Sequence, residues 1–169
     1  KLLTLPSRYF VYLINDKGIG VSSKIKNDKE REKLNNLVTD FINKNDLSYG
    51  LIVRTMAENV SEDILLADLE RLCQQWSDIQ KKSTSMKSVG CIYEELPLPF
   101  RILRDLPTRA LKNIRIDSES SVQMLSQYIV NFLPDSHASI KFYEAGEPIF
   151  QKYNIENCIQ GALNRSVSL

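Results

Sequence analysis

The sequence predicts a chain of the α/β class, more closely α+β, in which a small mixed sheet carries packed helices. Short apolar runs rich in β-branched and aromatic residues alternate with longer segments whose apolar residues recur at helical spacing. Gly and Pro mark several boundaries between these segments. The 169 residues, 43% of them hydrophobic, are sufficient for one or two modest cores.

The first part of the chain predicts three strands. Residues 8–14 are rich in aromatic and β-branched residues, and Gly18 and Gly20 mark a turn before a second short strand at residues 21–25. Two strands joined in this way predict a hairpin. Residues 50–55 (GLIVRT) open with an apolar run that is short enough for one buried strand.

Two amphipathic helices are predicted in the same part. Asn27 and Glu30 have the spacing of a capping box at the start of the first helix, whose charged residues 29–33 are expected to be solvated. Ser61 is a suitable N-cap for the second helix, where Trp76 has the spacing of a core residue. The two apolar faces comprise Leu34, Leu37, Val38, Phe41 and Ile42 in the first helix, and Leu65, Leu69, Leu72, Trp76 and Ile79 in the second.

A change of composition separates a second part. Residues 81–88, rich in Ser, Thr and Lys, predict an exposed connector, and Pro97 and Pro99 then mark a change of element. We therefore predict one domain at residues 1–98 and another at residues 99–169.

The second part alternates strand and helix. Residues 114–116 and 140–142 predict strands, Ser118 can cap a helix between them, and Pro148 can open short helices farther on. This order predicts a partly parallel sheet.

Composition argues against several classes of function. No stretch is apolar enough to span a membrane and residues 1–6 lack the features of a signal peptide, so a cytoplasmic protein without a membrane partner is expected. The formal net charge of +1 argues against binding nucleic acid through a broad basic surface. Cys73, Cys91 and Cys158 lack the spacing of a zinc site or a disulfide framework, and are interpreted as small buried hydrophobes.

Residues that could carry hydrolytic chemistry do not show the required pattern. A two-metal nuclease needs several carboxylates that converge on paired ions. The acidic candidates, which show no ligand spacing, are Glu94, Glu95, Asp105, Asp117 and Glu119. His137 is the only histidine, and it lies in a loop-like segment at residues 135–139 without a nucleophile motif.

The strongest binding candidate is the end of the run at residues 50–55, where Arg54 and Thr55 follow the apolar residues. Open α/β sheets place ligands at the carboxyl ends of their strands. The planar fork of Arg and the hydroxyl of Thr both suit phosphate oxygens. The same pair is also typical of a solvated turn, so the residues alone leave both interpretations open.

Several short motifs follow one another in a fixed order along the chain. They are residues 6–9 (PSRY), 20–25 (GVSSKI), 50–55 (GLIVRT), 101–105 (RILRD), 114–118 (IRIDS) and 148–150 (PIF). In order and spacing these motifs resemble the ribonuclease E/G family. No single motif is specific, but together they run through essentially the whole chain.

The resemblance implies a role in recognising the end of an RNA. In the family, the Arg-Thr pair belongs to a pocket that grips the 5′-terminal monophosphate of single-stranded RNA. Carried over, Arg54 and Thr55 hold the phosphate through their side chains, and the backbone amides near Val11 and at Ser7 complete the cradle. Lys24 corresponds to a basic residue that flanks the RNA path.

This chain departs from the family pattern at two of these positions. Ser7 stands where relatives often carry Gly, a change that a backbone donor tolerates. Residues 23–24 stand where some relatives carry two adjacent arginines. Lys supplies a point charge without a bidentate fork, so the Lys24 contact departs furthest from the family.

The resemblance also implies what the rest of such a protein does. Family members are homo-oligomeric endoribonucleases of rRNA processing and mRNA decay. They cleave single-stranded RNA with Mg²⁺ held by aspartates of a later nuclease domain, and a cysteine pair farther on binds a structural Zn²⁺. Neither the motif with the metal-binding aspartates nor the zinc-binding cysteine pair occurs in this sequence. We therefore expect the ligands of both metals to lie outside the chain.

On this basis the chain is expected to be a segment excised between an S1-type RNA-binding domain and the nuclease domain. Its first domain would be a 5′-sensor-type subdomain and its second a partial ribonuclease H-like subdomain. Such a segment would bind an RNA end and cut nothing.

Two other functions remain open. In a scaffold or interaction segment, Arg54 would be a surface ion-pair partner and RNA binding would ignore the 5′ group. Nonspecific contact with the RNA backbone would instead be sensitive to salt without discriminating between ends. The residues involved would be Lys24, Lys26 and Arg8. A base-stacking face is conceivable on Tyr9, Phe10 and Tyr12, although alternation along a strand buries at least one side.

Overall fold

The computed structural model describes residues 3–106, 111–133, 136–144, 146–164 and 166. The chain forms two compact units, which divide between Leu96 and Pro97. Each unit combines a small sheet with helices, which confirms the predicted mixed α/β class. The two subdomain names stay predictions. In the described part of the chain, no helix combines the length and the apolar character needed to cross a membrane.

Unit 1, which ends at Leu96, contains a four-stranded mixed sheet. Its strands are β1 (Thr4–Pro6), β2 (Phe10–Leu13), β3 (Ile19–Val21) and β4 (Gly50–Val53). They lie in the order β1-β2-β4-β3. β2 pairs antiparallel with both β1 and β4, whereas β3 runs parallel to β4.

The predicted hairpin is wrong, because β3 pairs with β4 and not with β2. The helix α1 (Asp28–Lys44) makes the crossover that two parallel strands require. β3 also lies earlier in the chain than predicted, at Ile19–Val21 and not at residues 21–25. Gly50 permits the close approach, because a Cβ atom at that position would collide with the backbone of Gly18. The Leu51 amide donates to the Gly18 carbonyl across 3.0 Å.

Two helices cover one face of this sheet. α1 contacts β3 and β4, and α2 (Glu62–Ser85) contacts β1 and β2. Strand alternation in β4 buries Leu51 and Val53 in the core and leaves Ile52 at the surface. The predicted apolar faces are confirmed as parts of this core, fully or partly buried. Trp76 is partly buried and packs edge-on against Tyr49 with 6.1 Å between the ring centroids.

The helix ends differ from the sequence prediction in three ways. Asn27 does cap α1, since its Oδ1 accepts from the Glu30 amide, but the Glu30 carboxylate accepts from the Asn59 amide and does not close a capping box. Ser61 occupies the N-cap of α2 without a side-chain bond to it. Most of the predicted connector is helical, because α2 continues to Ser85, and the connector residues are exposed as expected apart from the partly buried Met86.

The interpretation of the cysteines is correct only in part. Cys73 is half-buried and packs against the core, and burial raises the pKa of its thiol. Cys91 and Cys158 are exposed, so they are not core residues. Cys91 lies in the exposed stretch at residues 87–92, and no residue of α6, which carries Cys158, is buried.

Unit 2, from Pro97 onward, contains two parallel strands and four helices within its described residues. The elements are α3 (Leu98–Asp105), β5 (Asn113–Ile116), α4 (Glu119–Phe132), β6 (Ser139–Phe142), α5 (Ile149–Lys152) and α6 (Ile155–Ala162). The predicted strands, the parallel pairing and the cap by Ser118, whose Oγ accepts from the Ser121 amide, are confirmed. The sequence pattern does not predict α3, because Pro97 and Pro99 are interpreted as a break between elements. Pro99 instead lies in the first turn of α3, where a helix tolerates proline.

Candidate functional site

Three segments of unit 1 meet at one end of the sheet, at the carboxyl end of β4. Because β3 is parallel to β4 and β2 is antiparallel to it, the last residue of β3 and the first residue of β2 also lie at this end of the sheet. The predicted site residues therefore lie on short connections beside one another. We call this group the β4-end site, and it comprises Ser7, Ser22, Lys24, Arg54 and Thr55.

Arg54 links the end of β4 to the start of β2. Its amide donates to the Tyr9 carbonyl at 2.8 Å and continues the ladder beyond the strand. Its side chain is half-buried, and Nη1 donates to the Ser7 carbonyl at 2.7 Å. The fold thus brings together the two predicted residues Arg54 and Ser7, which are 47 positions apart.

Asp68, on α2, holds the turn that carries Ser7. The Asp68 Oδ2 atom accepts from the Ser7 hydroxyl at 2.6 Å and from the Tyr9 amide at 3.2 Å. The Ser7 hydroxyl in turn accepts from the Phe10 amide at 3.1 Å. Asp68 is buried, and its other oxygen lies 3.4 Å from Arg71 Nη2. These bonds satisfy a buried carboxylate and fix the position of the Ser7 carbonyl that Arg54 contacts.

The backbone amides predicted to complete the cradle already have acceptors within the chain. The Ser7 amide donates to the Phe10 carbonyl at 2.8 Å. Hydrogen-bonded pairs alternate along an antiparallel ladder, so the bond between Arg54 and Tyr9 places Val11 in the next such pair, opposite Ile52. A role for these two amides stays a prediction, and it requires them to exchange their present acceptors for phosphate oxygens.

Thr55 contacts the segment that follows β3. Its Oγ1 lies 2.8 Å from the Ser22 hydroxyl, and the Lys24 amide donates to that same hydroxyl at 3.3 Å. The Lys24 side chain is exposed. The fold therefore groups Thr55 and Lys24 through Ser22, a residue that sequence reasoning did not select.

Arg31 anchors this segment from the first turns of α1. Its Nη1 donates to the carbonyls of Ser22 at 2.7 Å and Ile25 at 3.1 Å. The expectation that residues 29–33 are simply solvated is therefore wrong for Arg31, which is half-buried. Arg31 lies three residues before Leu34, in line with the apolar face of α1, and this spacing could have indicated its inward position.

Burial argues against two of the RNA contacts that the sequence left open. Tyr9, Phe10 and Tyr12 are all buried in the core, so none of them offers a base-stacking face. Arg8 is also buried, with only 6% of its surface exposed, and its guanidinium lies 5.6 Å from the centre of the Tyr9 ring. Burial removes Arg8 from the proposed nonspecific contact with an RNA backbone, whereas Lys24 and Lys26 are exposed.

The described residues do not group acidic, cysteine and histidine side chains into a metal site. Among them, no group of three or more His, Cys, Asp or Glu side chains could hold a metal ion. Asp105 pairs with Arg104, with 3.2 Å between the carboxylate and Nε. His137 is exposed, and its predicted neighbour Asp135 lies outside the described residues. The side chains described in this chain thus do not fit the Mg²⁺ or Zn²⁺ that the resemblance implies.

Comparison with known proteins establishes the family. The profile of the Ribonuclease E/G family matches residues 4–169. The chain belongs to the ribonuclease E/G family. It is similar to Ribonuclease G of Salmonella typhimurium, with 35% identity over 167 residues, which are 99% of this chain and 34% of that protein. Ribonuclease G of Haemophilus influenzae is 36% identical over 99% of this chain and 33% of its own length.

More distant members of the ribonuclease E/G family also align along the chain. Ribonuclease E of Nostoc sp. is 30% identical over 170 residues, which cover 99% of this chain and 24% of that protein. The chain therefore spans about a third, or less, of the length of these curated relatives.

Proposed function

We propose that this chain is the RNA-binding part of an endoribonuclease and that the β4-end site receives a 5′-terminal monophosphate. The observation that carries the proposal is the placement of Arg54 and Thr55 together at the end of β4, beside the segment that holds Lys24. Membership of the ribonuclease E/G family supports the same assignment.

The chemistry of the site suits a single terminal phosphate. Such a group carries a charge of about −1.5 to −2 at neutral pH and offers three acceptor oxygens. Arg54 supplies a cation whose orientation is fixed by its bond to the Ser7 carbonyl, so little ordering is needed on binding. A 5′-hydroxyl lacks this charge, and a triphosphate would exceed a pocket that closes around one phosphoryl group.

Cleavage is proposed to belong to another part of the whole protein. The Ribonuclease G relatives are about three times as long as this chain, and the described residues hold no cluster suited to a metal. Within this proposal, the whole protein is a cytoplasmic homo-oligomer that cuts single-stranded RNA with Mg²⁺. Binding of the RNA end by this chain would promote cleavage downstream.

A structural role for Arg54 is the second candidate, and one contact favours it. The 2.7 Å bond from Arg54 to the Ser7 carbonyl already joins two strands of the sheet without any ligand. In a scaffold segment, Arg54 would act only through contacts within the chain, such as this bond. The two candidates differ in one measurable property, the dependence of RNA affinity on the 5′ group.

The test is a fluorescence-anisotropy titration of the 169-residue chain with one short single-stranded RNA carrying a 5′-monophosphate or a 5′-hydroxyl. We expect tighter binding of the monophosphate. Arg54→Ala should weaken that binding by about 1.5 to 3 kcal/mol, because hydrogen bonds to a charged group are lost. Thr55→Val should weaken it less, in the same direction.

Arg101→Ala is the matched control, because it removes the same charge from an exposed position on α3. It should leave the preference for the monophosphate unchanged. Equal affinity of the folded wild-type chain for both RNA ends would overturn the proposal and favour the structural role. Circular dichroism of each variant establishes that it is folded.

A further inference from the structure

The hydroxyls of Ser22 and Thr55 form a directed pair at the β4-end site. Their oxygens lie 2.8 Å apart, so one hydroxyl donates to the other. The Ser22 oxygen also accepts from the Lys24 amide at 3.3 Å. Accepting a hydrogen bond makes a hydroxyl a stronger donor, which favours donation from Ser22 to Thr55. The hydrogen of the Thr55 hydroxyl is then directed to another acceptor.

The backbone keeps Ser22 in this position independently of its side chain. The Ser22 amide donates to the Val53 carbonyl at 2.9 Å, and the Ser22 carbonyl accepts from Arg31 Nη1 at 2.7 Å. Neither bond involves the hydroxyl. Removing that hydroxyl leaves the exposed Lys24 amide to water and changes the hydrogen bonding of Thr55, while these two backbone bonds remain.

We propose that Ser22 is a positioning residue for phosphate binding, which orients the Thr55 hydroxyl as a donor to the ligand. This inference rests on the proposed function of the β4-end site. The relay runs from the Lys24 amide to the Ser22 oxygen, from the Ser22 hydroxyl to Thr55, and from the Thr55 hydroxyl to a phosphate oxygen. A terminal phosphate dianion accepts at every exposed oxygen, so a fixed donor matches it.

A double-mutant cycle between Ser22→Ala and Thr55→Val tests the relay. Affinities of the 169-residue chain are measured for the same RNA with a 5′-monophosphate or a 5′-hydroxyl. Ser22→Ala should reduce the preference for the monophosphate by about 3- to 10-fold, the range for one hydrogen bond. In the Thr55→Val background, the same substitution should have no further effect, because Ser22 acts through Thr55.

Two further variants separate positioning from a general effect on the fold. Ser22→Thr retains the hydroxyl and should restore the preference, whereas Ser22→Cys offers only a weak donor and should resemble Ser22→Ala. Ser83→Ala removes an exposed serine hydroxyl from α2 and should match the wild type. Thermal unfolding of each variant shows whether the fold is retained.

The outcomes distinguish this inference from the proposed function. A wild-type chain without a preference between the two ends would overturn both. A wild-type preference that Ser22→Ala leaves unchanged would overturn the role of Ser22 alone. Equal losses from Ser22→Ala in the presence and absence of the Thr55 hydroxyl would contradict the relay, because they would mean that Ser22 acts independently of Thr55.

Discussion

The two units of this chain bury their apolar residues to very different extents. In unit 1, one sheet face and the inner sides of α1 and α2 form a continuous core in which Phe10, Leu34 and Leu69 are fully buried. In unit 2, the described core consists of Leu103, Leu125, Ile129 and Leu133. No described residue of α5 or α6 is buried.

Several apolar residues of unit 2 are also exposed. Phe142, Phe150 and Ile159 of unit 2 are between 44% and 50% exposed. Unit 1 instead connects its core directly to the β4-end site, through Asp68 on α2 and Arg31 on α1. We therefore expect unit 1 to tolerate core changes less well than the helices at the end of unit 2.

The largest effect is expected from Leu69→Ala in the core of unit 1. Leu69 is completely buried, and removing a buried Leu side chain costs about 2 to 5 kcal/mol of unfolding free energy. Chemical denaturation followed by the fluorescence of Trp76 measures this change. Trp76 is the only tryptophan, and it packs against the core of unit 1, so its signal reports on that unit.

The matched change in unit 2 is Ile159→Ala on α6. Ile159 is 44% exposed, so its removal should change the unfolding free energy by no more than about 0.5 kcal/mol. Circular dichroism follows this variant, because Trp76 belongs to unit 1 and α6 to unit 2. Equal destabilisation by the two variants would mean that the units do not differ in the way their burial indicates.

A loss of stability smaller than that of Leu69→Ala is expected from Asp68→Ala, which breaks the connection between the core of unit 1 and the β4-end site. The substitution leaves the Ser7 hydroxyl and the Tyr9 amide without their carboxylate acceptor, at a cost of about 1 to 3 kcal/mol. Denaturation by urea measures it, with the exposed Glu70→Ala on the same helix as the control. A loss no greater than that of Glu70→Ala would show that the buried carboxylate contributes nothing net.

Local patterns predicted much of this fold. Helical spacing identified the inner faces of α1 and α2, and the strand, cap and helix order of unit 2 was recoverable from residues 114–142. The pairing partner of each strand could not be recovered from the sequence, because the spacing of Gly18 and Gly20 fits a hairpin as well as the start of a crossover. What decides the pairing is the close approach of Gly18 to Gly50, a contact between distant residues.

The candidate site shows the same limit. Arg54 and Thr55 stand out because polar residues directly follow an apolar run. Asp68, Arg31 and Ser22 support them through bonds to backbone carbonyls, amides or a hydroxyl in other segments, and such bonds leave little trace in local composition. One trace does exist, since Asp68 interrupts the apolar face of α2 between Leu65 and Leu69. A charged residue at a core position indicates a buried polar network.

A further effect on stability, confined to alkaline solution, is expected from Tyr12 in the core of unit 1. Burial raises the pKa of its phenol well above the ordinary value of about 10, and the neighbouring Cys73 and Tyr49 add to the shift. The folded chain therefore holds this proton more tightly than the unfolded chain. Below about pH 10 the group leaves the unfolding free energy unchanged, and above it the free energy falls as pH rises.

Tyr12→Phe should remove this contribution, because the ring stays buried and nothing at that position can ionise. Thermal midpoints of both chains, followed by circular dichroism at about pH 8 and about pH 11, measure the difference. The wild-type chain should lose more stability than Tyr12→Phe between the two conditions, since the titration of lysines and other tyrosines is common to both. An equal loss in the two chains would mean that water reaches the phenol, and that the core of unit 1 is less closed than the burial of Tyr12 indicates.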